Sequence, residues 1–169
     1  MSAFLMVDYT LPEAIRQLHQ QIDPEDLYIE DNPQSSLTYG LETVPHVTVA
    51  PCLRNNVALN NVKKFLRPLK EYRLELTELD VFDNPIKDVL VCHVKHCATL
   101  FETNAEISEH YKLRNRHEFN PHVTVASLKR GKGQKYKSLP LPKGVVVEPK
   151  CFSYSRSEGK NQVKEVFGE

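Results

Sequence analysis

Two histidines and two threonines in this chain stand in one repeated spacing, and together they could move protons at a phosphodiester. The string Pro45-His46-Val47-Thr48-Val49-Ala50 recurs letter for letter as Pro121-His122-Val123-Thr124-Val125-Ala126, while the surrounding sequence differs. Val, Thr and Val favour a pleated backbone, so each string reads as a strand. Successive side chains on a strand point to opposite faces. His46 and Thr48 therefore share one face, Val47 and Val49 the other, and the second copy repeats the arrangement. The valines suit a core and the polar pair suits a cleft. Imidazole titrates near neutrality, so of two facing histidines one can act as base and the other as acid. The base would activate water or a ribose hydroxyl, and the acid would protonate the leaving oxygen. Each threonine follows its histidine by roughly 6.5 to 7 Å along the same face and can donate a hydrogen bond to a phosphate oxygen. Such a site needs no metal and no other cofactor. Two histidines without Asp, Glu or Cys in repeated spacing are a poor metal set.

The elements that must position these residues can be read along the chain. Residues 3–7 are apolar and fit a first strand. A helix follows, with Thr10 as a candidate N-cap, Pro12 and Glu13 in the first turn, and Ile15, Leu18 and Ile22 at helical spacing. The stretch 23–36 is polar and reads as a loop. The first repeat strand spans about 44–53. Asn55 or Asn56 would cap a second helix carrying Val57, Val62, Phe65 and Leu66. Residues 72–82 alternate, with a slip before Leu79, and read as one or two strands. Asp83-Asn84-Pro85 is a turn. A strand over 88–95 and a helix over 98–113 come next. The second repeat strand lies at about 120–128, and residues 145–154 and 162–167 form a closing hairpin. The pattern predicts an α+β fold over residues 1–169, a single unit of two pseudo-symmetric lobes, each half contributing one repeat strand and at least one helix.

The 169 residues are 40% hydrophobic, enough for a real core, and 22 basic side chains balance 22 acidic ones. Overall charge therefore gives no pointer to a polyanionic partner. The four cysteines, Cys52, Cys92, Cys97 and Cys151, show no C-x-x-C spacing. No run approaches a membrane span of about 18 apolar residues, and residues 1–9 lack the pattern of a secretory signal. A cytoplasmic protein with reduced thiols is expected, with a nucleotide or oligonucleotide as its partner, no membrane and no obligate protein partner.

Other residues are candidates for contacting substrate. Lys129, Arg130, Lys132 and Lys135 surround Gly131 and Gly133 directly after the second repeat strand, and Tyr136 follows. They read either as a mobile basic loop beside the cleft or as a solvated surface loop. Tyr9, Tyr39 and Tyr154 could stack on a base or pack at a strand end. Cys92-His93-Val94-Lys95-His96-Cys97 holds four possible metal ligands, but strand alternation sends neighbours to opposite faces, so no metal is assigned. The chain lacks G-x-x-x-x-G-K-[ST], G-x-G-x-x-G and a Lys-x-Asp-Gly string, which argues against ATP-dependent ligation.

The paired strings resemble the H-x-[ST] motifs of the 2H phosphoesterase superfamily, and their separation of 76 residues fits that superfamily's bilobal fold. Within it the chain is similar to the small proteins called 2′-5′ RNA ligase-like, or LigT-like. Tyr39-Gly40-Leu41-Glu42 and residues 129–136 look like phage-type members. The resemblance implies metal-independent cleavage of a phosphodiester involving a ribose 2′ position. It makes His46 and His122 the acid/base pair and Thr48 and Thr124 the phosphate holders. The expected substrates are 2′-linked or cyclic oligonucleotides, including the cyclic nucleotide messengers that phage members destroy to defeat the CBASS defence, in which case the site of action would be the host cytoplasm. The alternatives are a 2′,3′-cyclic phosphodiesterase of RNA-end processing and a non-catalytic nucleotide- or RNA-binding module.

Overall fold

In the computed structural model the first strand, β1 (Ser2–Tyr9), shows why alternation decides the fold. Ala3, Leu5, Val7 and Tyr9 are at most 2% exposed and face the core, while Met6 and Asp8 point the other way. The structure describes residues 2–29, 40–54, 57–114, 117–158 and 161–168. Tyr39 and the candidate caps Asn55 and Asn56 lie outside them.

Helix α1 (Glu13–Gln20) starts after Pro12, which takes an extended conformation and offers no side-chain cap. Thr10 does not cap it. Its hydroxyl accepts the backbone N–H of Glu148 at 3.3 Å, and its own N–H reaches the Glu148 carbonyl at 2.9 Å. Strand β2 (His46–Arg54), helix α2 (Leu59–Leu66), strands β3 (Leu74–Asp83) and β4 (Lys87–Val94), helix α3 (Ala98–His110) and strand β5 (His122–Lys129) follow. The slip read at 76–79 is an irregularity inside one strand, since the β3/β4 register shifts between Leu76 and Leu79 and all three leucines of β3 stay buried. Strands β6 (Val146–Val147), β7 (Pro149–Glu158) and β8 (Asn161–Phe167) complete the chain.

The strands form two antiparallel four-stranded sheets, ordered β2-β1-β7-β8 and β5-β4-β3-β6. This bears out the α+β class with two lobes, but it corrects the division of the chain between them. One lobe takes two strands from each end of the chain, and the other takes the middle. The single strand expected over 145–154 is accordingly two strands in different sheets. Pro149, which lacks an N–H, opens β7, and only Glu148 separates the sheets.

Each motif strand is the edge of its sheet, and β2 and β5 lie against each other. The helices cross over: α1 follows a strand of the first lobe yet packs on β5, and α3 follows a strand of the second yet packs on β2. The Asn104 amide on α3 donates to the Val49 carbonyl at 2.7 Å, and Nε2 of His19 on α1 donates to the Val125 carbonyl at 2.9 Å. These two carbonyls occupy the same place in the repeat. An edge strand otherwise leaves such groups unpaired. The outer edge of β5 is further covered by bonds from Tyr28 N–H to Ser127 O, Ser127 N–H to Gly40 O and Glu42 N–H to Val125 O. One apolar cluster runs through both lobes. Among the described residues no helix is long and apolar enough to cross a membrane.

Candidate active site

His46 and His122 are the first residues of β2 and β5, and each follows a buried proline. Pro45 and Pro121 hold the entry to the strand extended, and the Pro45 carbonyl accepts the Tyr9 N–H at 2.7 Å. From there alternation sends Val47, Val49, Val123 and Val125 inward, each 0% exposed, and leaves His46, Thr48, His122 and Thr124 half-buried on the opposite face.

Both rings are anchored identically. Nδ1 of His46 lies 3.1 Å from the Val44 carbonyl, and Nδ1 of His122 lies 2.9 Å from the Asn120 carbonyl. A carbonyl only accepts, so Nδ1 carries the hydrogen in both rings. The neutral tautomer then has its lone pair on Nε2, ready to take a proton. Burial holds the pKa of His122 below that of an ordinary imidazole, opposed by the Asn120 bond and reinforced by the charges of His93 and His46. The strands that carry the two motif histidines lie against each other.

The flanking strands add groups that alternation within the motifs does not reveal. In the β4/β5 register His93 stands opposite His122 and Val91 opposite Thr124, so these side chains share a face. Nε2 of His93 donates to Asp80 at 2.8 Å. This bond, helped by the Val81 N–H and by Lys137 at 3.4 Å, keeps the Asp80 carboxyl below its ordinary pKa. The Phe82 ring lies edge-on to both imidazoles, 4.8 Å from His122 and 5.9 Å from His93. In the other lobe Asp8 stands opposite His46 and Met6 opposite Thr48. Asp8 is buried and accepts bonds from the Ser153 hydroxyl at 2.7 Å and Lys164 at 2.9 Å.

The stretch from Cys92 to Cys97 does not converge. Cys92 is fully buried, with its thiol pushed up to about 12 by burial, His93 faces the other way, and His96 packs against Phe101 at 4.6 Å. Among the described residues no three His, Cys, Asp or Glu side chains are grouped to hold a metal ion.

The remaining candidates sit elsewhere. Lys129 ends β5 and Arg130, Lys132 and Lys135 follow it, and eight strand residues place that end roughly 23 Å from His122. The loop is also tied down at two points. The Asp88 carboxylate accepts the Gly133 N–H at 2.8 Å, and Lys135 pairs with Asp26 at 2.5 Å. Tyr136 is buried, donates to Asp26 and accepts the Asp23 N–H at 3.0 Å. Tyr9 and Tyr154 point into the core, and the Tyr154 hydroxyl is taken by the Arg54 carbonyl at 2.8 Å. None of these three rings offers a face to a base, because strand alternation or an internal hydrogen bond has turned each inward.

Comparison with known proteins finds the same fold elsewhere. Solved structures with the same fold include Usb1 of Kluyveromyces marxianus, with a TM-score of 0.56 and 14% identity over 98% of both chains. Usb1 with uridine monophosphate superposes with a TM-score of 0.56 at 13% identity, covering 98% of each chain. A structure described as a phosphoesterase gives a TM-score of 0.51 at 15% identity over 99% of this chain and 95% of its own. No curated protein sequence matches the chain. The sequence model of the 2′-5′ RNA ligase superfamily matches residues 41–140, more than half of the chain and both motif strands. The chain therefore belongs to the 2′-5′ RNA ligase superfamily and is a phosphodiesterase of the 2H phosphoesterase type.

Proposed function

We propose that the protein cleaves a phosphodiester of RNA or a nucleotide at a ribose 2′ position, by acid/base catalysis between His46 and His122. The observation that carries this reading is the matched anchoring of the two rings. Both Nδ1 atoms are tied to backbone carbonyls, which leaves both Nε2 atoms for proton transfer, on two strands that lie against each other. One imidazole takes the proton of the attacking oxygen as that oxygen bonds to phosphorus. The other gives a proton to the oxygen that leaves. Thr48 and Thr124 donate hydroxyl hydrogens to the non-bridging oxygens, where charge builds in the transition state. Imidazoles and hydroxyls supply every proton this reaction needs.

Within this class the preferred substrates are 2′-linked or cyclic oligonucleotides, including cyclic nucleotide messengers of the CBASS type. Short 2′,3′-cyclic phosphates are the alternative. The substrate panel decides between them. Wild type and the His46→Ala and His122→Ala variants would each meet cyclic dinucleotides, cyclic trinucleotides, 2′-5′ oligoadenylate and 2′,3′-cyclic mononucleotides in EDTA. Turnover of a cyclic or 2′-5′-linked oligonucleotide by wild type alone supports the preferred substrate class. Turnover of 2′,3′-cyclic mononucleotides alone moves the protein to RNA-end processing. Tight binding of the panel without turnover contradicts the enzymatic reading and favours a binding module.

A further inference from the structure

The repeat that makes the two motif strands identical stops at their neighbours. His93 stands in register beside His122, whereas the corresponding place beside His46 belongs to Asp8. We propose that His93, held by Asp80, is a positioning residue that sets the direction of proton transfer, so that His122 takes the proton of the attacking oxygen and His46 protonates the leaving oxygen. This assignment rests on the two-histidine reading above.

The geometry fixes what each motif histidine faces. Directly opposite residues of an antiparallel pair share a face with their Cβ atoms about 4.5–5.5 Å apart. Asp80 accepts from Nε2 of His93, so that nitrogen carries a hydrogen, and Lys137 Nζ stands 3.4 Å from the other Asp80 oxygen. The His93 carbonyl accepts from the Thr77 hydroxyl at 3.2 Å, which ties the strand position as well. Phe82 fills the space against both rings. The titratable and charged groups facing His122 are therefore His93 from β4, Asp80 from β3 with Lys137 behind it, and His46 from β2. A proton added to His122 meets two further imidazoles. A proton on His46 meets one further imidazole, His122, and its register neighbour Asp8 is a carboxylate already paired with Lys164 at 2.9 Å. A general base must be free of its proton before the reaction starts, and a general acid must hold one. The depressed pKa of His122 has the sign that the base role needs.

The step balances without a co-reactant. The attacking O–H bond breaks to His122 Nε2, and the oxygen–phosphorus bond forms. The bond from phosphorus to the leaving oxygen breaks with its electron pair, and His46 protonates that oxygen. The rings then return to their starting states by exchange with water.

Two measurements test the assignment. The first follows the imidazole resonance of His122 against pH by NMR in wild type and in His93→Gln. The titration midpoint should move up by several tenths of a pH unit when His93 is replaced. A packing role for His93 would leave the midpoint in place, and an unmoved or lowered midpoint overturns the proposal. The second compares whichever panel substrate is cleaved with its analogue carrying sulfur in place of the leaving oxygen, because a thiolate leaves without an acid. His46→Ala should recover most of its lost rate on the sulfur analogue, and His122→Ala should not. Recovery by His122→Ala alone overturns the assignment while leaving the two-histidine centre intact. Full activity of both variants on the oxygen substrate overturns the centre itself, and the assignment with it.

Discussion

Nδ1 of His46 and Nδ1 of His122 meet the same partner in the two halves of the repeat, the carbonyl oxygen two residues back, at 3.1 Å to Val44 and 2.9 Å to Asn120. The bond fixes the tautomer as well as the ring plane. In both copies the histidine that makes this bond is the first residue of its strand. Placed one residue further into the sheet, the imidazole would point into the core with the valines.

The threonines should matter less than the histidines but measurably. Thr48→Val and Thr124→Val keep shape and strand preference and remove one hydroxyl each. A hydrogen bond to a charged oxygen contributes roughly 1.5–3 kcal/mol, so each variant should lose on the order of 10- to 100-fold in kcat/KM. Steady-state kinetics with thermal melts as a folding control checks this. An unchanged rate in either variant removes that hydroxyl from the phosphate.

The pH dependence follows from His122. Below its pKa the ring is protonated and cannot accept the substrate proton, so activity falls as pH drops through that value. Burial and the neighbouring imidazoles lower the pKa, so the acid limb of kcat/KM should lie below the ordinary imidazole value of about 6.5. Activity would then persist into mildly acidic solution. A limb above that value, or a rate that climbs steadily to high pH, would contradict the electrostatics described for His122.

Asn104 tests how the groove is held from outside. Its amide donates at 2.7 Å to the Val49 carbonyl on the edge of β2, a buried contact between two elements 55 residues apart. Asn104→Leu removes the donor and leaves that carbonyl facing an apolar side chain. A buried group stripped of its partner costs about 1–3 kcal/mol. For a chain of this size that lowers Tm by roughly 2–4 °C per kcal/mol. Calorimetry on wild type and variant reads it directly.

Gly133 tests the pinned loop. A Cβ added there would lie 2.8 Å from a Val81 methyl and 2.9 Å from the Asp88 Cβ, too close to both. Gly133→Ala should therefore destabilise by about 1–3 kcal/mol, the usual cost of overpacking. Because the loop follows the far end of β5 from His122, kcat/KM at a temperature where the variant is folded should stay near wild type. A selective loss of activity without loss of stability would place the loop closer to the chemistry than the structure does.

The parts of this molecule that depend on local pattern were legible in the sequence. Alternation in the repeats separated His46, Thr48, His122 and Thr124 from the valines, and the break before Leu79 marked the irregularity in β3. The parts set by distant pairing were not. Nothing local in residues 145–154 says that Val146 joins β3 while Phe152 joins β1. The same blindness hid the flanking groups. His93 stood out only as one of four possible metal ligands, because its place opposite His122 and within reach of Asp80 is set by distant pairing. Asp8 lies just past the apolar run 3–7, and only the pairing of β1 with its neighbours brings His46, Ser153 and Lys164 to it. Tyr9, Tyr136 and Tyr154 show the converse. An aromatic ring that could stack on a base can still be committed to the core by a single step of alternation or by one internal hydrogen bond.

The central claim is that His46 and His122 act as one proton-transfer unit. The most direct test is kcat/KM in EDTA for wild type, His46→Ala, His122→Ala and the double variant, on the panel substrate that wild type cleaves. Each single variant should lose on the order of 10²–10⁴-fold, and the double variant should be little slower than the worse single one, because half of a proton relay does nothing alone. Losses that multiply in the double variant, or a single variant that keeps wild-type turnover, would contradict the account.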